Sequence, residues 1–343
     1  MKKISYVRLG WQCLIVILMT LFTACRHDSE KHKVKVASKG LPYELLVVVD
    51  DDIWKSMAGD SLKVVLEGSV PGLPQNEPLF RLLRVSPDNY VRTYVTMRNI
   101  LFVKTDPQTK VPRIGVAYDS EASPQICVSV EAGDKQALAE FVGRQKKRIA
   151  DLFVDSELAL ETARLKKKYN KEVDQASRQI FGVSVHVPSE LASLKKGDHF
   201  LWASTNRIDK DMNYVCYTMP MANEDEMWSD YWIEQRDSAM KRNIPGSNPD
   251  QWMTTTRIDG VPLVVFDTLT IAGRRGYEMR GLWEVRKGGI GGPFVSLAYP
   301  DPAAGRMVVT EGFVYSPRTN KRDLVRRMEA ALRGVENVGG QNR

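Results

Sequence analysis

Apolar and polar positions along this chain follow two periods, about two residues and about 3.6 residues, and the switches between them mark out its elements. Residues 45–49 are a continuous apolar run rich in β-branched side chains, which predicts a buried strand running into a short helix near Asp51. Residues 70–78 hold three prolines and a glycine and are expected to form a loop. Strands are expected over residues 80–85, 90–97, 99–104, 114–118 and 126–130. Helical spacing then takes over. Residues 134–153 place Leu138, Phe141, Val142, Ile149 and Leu152 on one face, and residues 156–179 do the same with Leu158, Leu165, Tyr169, Val173 and Ala176.

After these helices the order begins again. A strand is expected at 183–187, a short helix at 189–194, and strands at 200–204 and 214–218. A helix follows over 224–241, with Asn223 as its N-cap, Glu224, Asp225 and Glu226 in its positive first turn, and Lys241 and Arg242 at its other end. Strands at 261–267, 277–285, 294–299 and 307–315 precede a closing helix over 321–332. Long antiparallel-looking runs with helices at their ends predict an α+β fold of two similar halves, each a mainly antiparallel sheet with packed helices, joined by a helical hairpin. No residue-level repeat links the halves, so their similarity is an expectation from element order alone. The organisation is a signal peptide (1–24), a flexible tether (25–40), an N-terminal half (41–155), a connecting helix (156–180), a C-terminal half (181–335) and a disordered tail (336–343).

The first residues carry the clearest chemistry. Lys2, Lys3 and Arg8 precede an apolar run over 13–22, and Thr23 and Ala24 stand directly before Cys25. A transmembrane helix needs about 20 predominantly apolar residues, so this shorter run reads as the core of a secretory signal. Small residues before a cysteine are what a lipoprotein signal peptidase requires. Cleavage between Ala24 and Cys25 would leave a diacylglycerol-cysteine, which with a further acyl chain such as palmitate anchors firmly at ~0.8 kcal/mol per buried CH₂. Phe22 departs mildly from the usual leucine of such a site.

Charge changes the picture little. The full chain has 49 basic against 42 acidic residues, a net charge of +7, and three of the basic residues leave with the signal. The rest are dispersed, so the composition makes no case for nucleic acid as a partner. Cys127 and Cys216 remain as buried free thiols or, in the alternative, as a disulfide between the halves. His186 and His199 are too far apart for a zinc motif, and neither metal nor cofactor is expected.

Three patterns qualify as candidate sites. Asp50 and Asp52 follow an apolar strand as in haloacid-dehalogenase-type phosphotransferases, yet acidic residues at such a point also simply begin a helix. Gly288, Gly289, Gly291 and Gly292 form a glycine-rich stretch that leads into a strand instead of a helix, which speaks against a phosphate cradle and for a loop that lets a partner approach. Trp228, Tyr231 and Trp232 share a helix with Trp252 beyond it; aromatics at this density stack on sugars, anchor a protein partner, or fill a core. Gly-x-Ser-x-Gly is absent, and two Ser-x-x-Lys matches, at Ser193 and Ser238, lack the companions that would make them catalytic.

Residues 41–50 (LPYELLVVVD), 236–246 (RDSAMKRNIPG), 253–255, 291–296 (GGPFVS) and 311–315 (EGFVY) together resemble a family of Bacteroidota lipoproteins, domain of unknown function 4837. The resemblance spans nearly all of the chain beyond the signal. It implies a lipid-anchored envelope protein and carries over no catalytic residue. In that setting Ser61, Ser238 and Thr268 sit in Asp-Ser/Thr-aliphatic triplets that resemble O-glycosylation acceptors. Arg26 lacks the retention aspartate of inner-membrane lipoproteins, so the expected location is the outer membrane, facing the periplasm. The expectation is a non-catalytic binding or assembly component that meets an envelope protein or a glycan. A hydrolase or phosphotransferase using Asp50 and Asp52, and a glycan-binding surface lipoprotein, are the alternatives.

Overall fold

In a computed structural model that describes residues 35–338, the apolar run after Tyr43 becomes an interior strand of a five-stranded sheet. Ala24, Cys25 and most of the expected tether lie outside the described residues. From Ala37 onward the chain forms one compact unit. The ordered backbone starts before Leu41, because Lys39 accepts from Arg98 N at 2.9 Å and donates to Thr96 O at 2.8 Å.

Strand β1 (Glu44–Val49) leads into helices α1 (Asp51–Trp54) and α2 (Met57–Leu66). Strands β2 (Arg81–Val85), β3 (Asn99–Thr105), β4 (Arg113–Tyr118) and β5 (Ile126–Ala132) complete the sheet in the order β2-β1-β3-β5-β4. Side chains alternate across it. Leu45, Val47 and Val49 enter the main core beneath the helices, while Leu46, Val48 and Ile100 form a second layer with Met97, Tyr90 and Tyr94. Residues 90–97 were expected to be a strand; they form turns whose Tyr90, Tyr94 and Met97 cover that second face.

The helical region divides into three. Helices α3 (Lys135–Arg144), α4 (Lys146–Lys167) and α5 (Lys171–Phe181) replace the expected pair. Ser156 stands inside α4, where Phe153, Val154, Glu157 and Leu158 are all buried. Apolar spacing runs on through that point and gives no sign of an end. The breaks fall instead at Gln145 and at Asn170, whose side chain accepts from Glu172 N at 3.0 Å and Val173 N at 3.1 Å as the N-cap of α5.

The second sheet is wider and entirely antiparallel. Strands β6 (Ser193–Gly197), β7 (Phe200–Ser204) and β8 (Asp211–Pro220) are followed by helices α6 (Glu224–Met227) and α7 (Asp230–Asn243). Then come β9 (Met253–Thr255), β10 (Val264–Ile271), β11 (Arg274–Val285), β12 (Gly291–Asp301), β13 (Arg306–Tyr315) and helix α8 (Arg322–Arg333). The order is β9-β11-β12-β13-β8-β7-β6, with β10 also paired to β11. Residues 193–194, placed at the end of a short helix by the sequence, belong to β6, and Ser229 restarts the expected single helix 224–241 as α7 by accepting from Tyr231 N. One face of the sheet joins the main core beneath α8, and α7 covers the other with Trp232, Ile233 and Met240. Cover on both faces explains why β12 and β13 are buried almost without interruption.

The α+β class therefore holds, with antiparallel pairing dominant, but the two sheets are not alike. Three of the four pairings in the first sheet are parallel, and the second has none. Parallel pairing requires crossover connections, which α2 and the turns before β3 supply. The two regions are locked through Glu77 in the proline-rich loop, whose carboxylate accepts from Lys321 N at 2.7 Å and Arg322 N at 2.9 Å and so caps α8. Glu336 and Asn337, expected in a disordered tail, pair with Ser184 and Val183.

Candidate functional site

Helix α7 turns Arg236 inward onto β13, where no part of its side chain meets solvent. Its Nε donates to Glu311 Oε2 at 2.9 Å and its Nη2 to Glu311 Oε1 at 2.7 Å, a two-point guanidinium–carboxylate pair. Nη1 donates to Thr255 Oγ1 at 3.1 Å and meets Asp237 at 3.2 Å, and the guanidinium lies 3.9 Å above the Phe294 ring. Burial works against the Arg236 charge, but the Glu311 carboxylate outweighs it and holds the guanidinium above its ordinary pKa. Asp237 accepts from Thr254 Oγ1 at 2.8 Å and from Thr255 N at 2.8 Å, which fastens the short strand β9 to the helix.

That fastening shapes what lies beyond it. Where the chain leaves α7 and doubles back into β9, it forms one wall of a cleft of about 400 Å³. Ile244, Pro245, Gly246, Gln251 and Met253 come from this connection, and Trp202, Asn213, Trp283, Phe313 and Tyr315 come from the sheet. The polar groups at the base are pre-set: Trp202 Nε1 donates to Asn213 Oδ1 at 2.8 Å, and Asn213 Nδ2 donates to Asp211 Oδ2 at 2.8 Å. Trp283 Nε1 is turned to Val314 O at 3.3 Å. Aromatic walls with a few fixed polar groups are the usual lining of a ligand or partner site.

The glycine-rich stretch divides between two roles. Gly288 lines the cleft, and Gly289, at φ 68°, makes the turn between β11 and β12. Gly291 and Gly292 belong to β12 itself. A Cβ on Gly292 would stand 2.0 Å from Val314 O, so glycine there permits close packing inside the sheet. Ile290, 44% exposed, stands at the rim.

The aromatic cluster separates as well. Trp232 is fully buried against Phe266 at 6.1 Å between ring centres, and so belongs to the core. Trp228 packs on the same ring at 6.1 Å yet stays 44% exposed, and Tyr231 is half-buried. These residues stand at the start of α7, whereas the cleft lies past its end. Trp252 is held between Lys241 Nζ at 4.2 Å and the Arg286 guanidinium at 4.7 Å, while its neighbours Gln251 and Met253 line the cleft.

Asp50 and Asp52 are exposed at the start of α1. Asp52 meets Lys135 Nζ at 2.7 Å and Asp51 pairs with Arg84, which holds both carboxyls below their ordinary pKa. No group of three or more possible metal ligands occurs among the described residues. Ser61 is half-buried on α2, Ser238 is exposed and accepts from Arg242 Nη1 at 2.7 Å, and Thr268 is exposed on β10. Cys127 and Cys216 are free thiols; burial raises the pKa of both.

Trp202, Asn213, Trp283 and Tyr315 did not stand out in the sequence, because alternation marks strands without telling which ends open on a cleft. One signal was present. Residues 236–246, 253–255 and 311–315, which carry the family resemblance, supply Ile244, Pro245, Gly246, Met253, Phe313 and Tyr315 to the lining and Arg236, Thr255 and Glu311 to the ion pair behind it.

No curated protein matches the chain. Residues 38–166 match the family model of one domain of unknown function, DUF8532, so the resemblance over 41–50 falls in a different family from the one first suggested. Residues 170–334, which hold the cleft and its ion pair, match the family model of the domain of unknown function DUF4837.

Proposed function

We propose that the chain is a lipid-anchored cell-envelope protein that binds a partner in the cleft beyond α7 and performs no catalysis there. Three of the five stretches that carry the family resemblance converge on this cleft, and this single observation supports the reading most strongly. Anchoring through lipid on Cys25 rests on the basic, apolar and small-residue sequence of residues 1–25, and the outer membrane as location on Arg26 in place of a retention aspartate. Trp202, Trp283 and Tyr315 beside Asn213 and Asp211 offer rings and hydrogen-bonding groups together, a combination that suits a glycan as well as a protein segment.

Photo-crosslinking in intact cells tests the proposal. A crosslinker at Ile290, on the rim, is expected to capture a defined envelope partner, whereas one at Val111, 75% exposed and outside the cleft lining, is not. Equal capture from both positions, or none from Ile290, would overturn it.

A further inference from the structure

A second and larger cleft, of about 700 Å³, lies where the two matched regions meet. Both contribute to it: α2, the loop after it and α4 on one side, β10, β11 and α8 on the other. Val65, Leu79, Ala150, Val154 and Leu269 give it apolar walls. Junctions between structural regions are preferred places for small-molecule sites.

Its floor is charged in an unusual way. Arg280, Arg326 and Arg333 converge on two buried carboxylates, Glu278 and Glu329. Arg280 donates from Nε to Glu278 Oε1 at 2.6 Å and reaches Glu329 Oε1 with Nη2 at 2.5 Å. Arg326 Nη1 donates to Glu329 Oε2 at 2.7 Å, and Arg333 Nη2 stands 2.9 Å from Glu329 Oε1. Three guanidiniums thus face two buried carboxylates, with the exposed Asp155 beside Arg333. Arg280, only 5% exposed, keeps Nη1 without a hydrogen-bond partner, and the Nε atoms of Arg326 and Arg333 have none either. A buried donor left unmatched is costly, and a buried positive charge more so. Asp155, whose side chain is 64% exposed, pairs with Arg333 Nη1 at 3.6 Å from the solvent side and leaves the buried donors unmatched. Lys147 is already engaged by Asp151 at 3.0 Å and Asp267 at 3.3 Å.

We propose that this cleft binds a small organic anion, its carboxylate or phosphate taken by the arginine cluster through the partly exposed Arg333 and its apolar body laid along Val154 and Leu269. Guanidinium groups suit both oxyanions, since their planar fork matches either. This site is separate from the one proposed above and stands whether or not that reading survives.

Titration calorimetry on the full chain in detergent tests the assignment with phenyl phosphate and benzoate, using benzyl alcohol and inorganic phosphate as controls for body and charge alone. One saturable site per chain is expected for phenyl phosphate, benzoate or both, with each control weaker by about tenfold or more. The two anions distinguish phosphate from carboxylate. Arg333→Gln should weaken binding by about tenfold, and Ala150→Trp, which fills the cleft without removing a charge, should abolish it. Circular dichroism establishes that each variant is folded; should one fail to fold, the other decides. No saturable binding of either anion, benzyl alcohol or inorganic phosphate binding as well as the anions, or undiminished binding by a folded variant would overturn the proposal.

Discussion

The strands of the two sheets keep the ion-pair partners of their buried charges in different places. In the first, Glu131 on β5 is itself buried but is held by Arg113 and Lys104, whose side chains are 69% and 57% exposed; the buried pair of that region, Arg98 with Glu157, lies off the strands. In the second, Arg236 and Glu311 are sealed from solvent beneath α7, and Arg280 and Glu329 lie beneath α8 on the opposite face. Topology accounts for the difference. Crossover connections fix the register of a parallel sheet, whereas β8, β12 and β13 are long, apolar on both faces and joined as antiparallel neighbours. A slip of two residues would preserve their apolar pattern while parting Glu311 from Arg236. The buried pair is therefore best understood as a register device, a role that costs stability compared with an apolar pair and is strongly felt only when one partner is lost.

The largest expected effect tests that contrast directly. Glu311→Ala strips the buried Arg236 of its two-point partner, leaving only Asp237 and Thr255 at Nη1, and should cost about 3–5 kcal/mol in urea unfolding. The double variant Arg236→Met with Glu311→Leu should recover most of the loss. If register depends on the pair, amide exchange across β8 and β13 should then lose uniform protection. Protection equal to the parent would confine the pair to simple stability.

Next in size is a pair of glycine substitutions, one in each region. Gly292→Ala sets a methyl group against Val314 O in the second sheet and should cost about 1–3 kcal/mol. Gly143→Ala, in α3 with nothing within 4 Å of the new atom, should stabilise by about 0.4–1 kcal/mol by restricting the unfolded chain. Thermal unfolding of the two variants gives opposite signs if packing density, and not glycine content, separates the regions.

Local pattern made much of this legible in the sequence. The apolar runs of β1, β12 and β13 and the capping signal at Asn223 all appear where expected, because each depends on neighbours within a few residues. Pairing partners did not appear. Nothing in residues 45–49 says that both of their neighbours will be parallel, and nothing in Glu77 says that it caps a helix begun at Arg322. The candidate site was half visible for the same reason. Gly288 and the neighbours of Trp252 reach the cleft, but Trp232 shares a helix with Arg236 and serves the core, while Trp228 ends the helix before it. Periodicity orders residues around one helix; only the docked sheet decides which of them meet a partner.

The smallest effect concerns Glu131 and its solvent-exposed partners in the first sheet, and its sign separates them from the fully sealed pairs. Thr109 donates to Glu131 at 2.7 Å and Arg113 at 2.8 Å, and together with Lys104 they draw its pKa from an ordinary 4.5 to about 2. A carboxylate whose folded pKa is depressed adds stability above its unfolded value and loses it as the proton is forced on. Glu131→Gln should therefore be less stable than the parent at neutral pH, and the gap should close as pH falls from about 4.5 through about 2. Because Arg113 and Lys104 reach into solvent, added salt should narrow the gap at neutral pH as well. Urea midpoints of parent and variant across that range, at low and high salt, decide the matter. A gap independent of both pH and salt would mean that Glu131 acts through its hydrogen bonds alone, which a glutamine keeps in part, and that the first sheet gains nothing from the charges around Glu131.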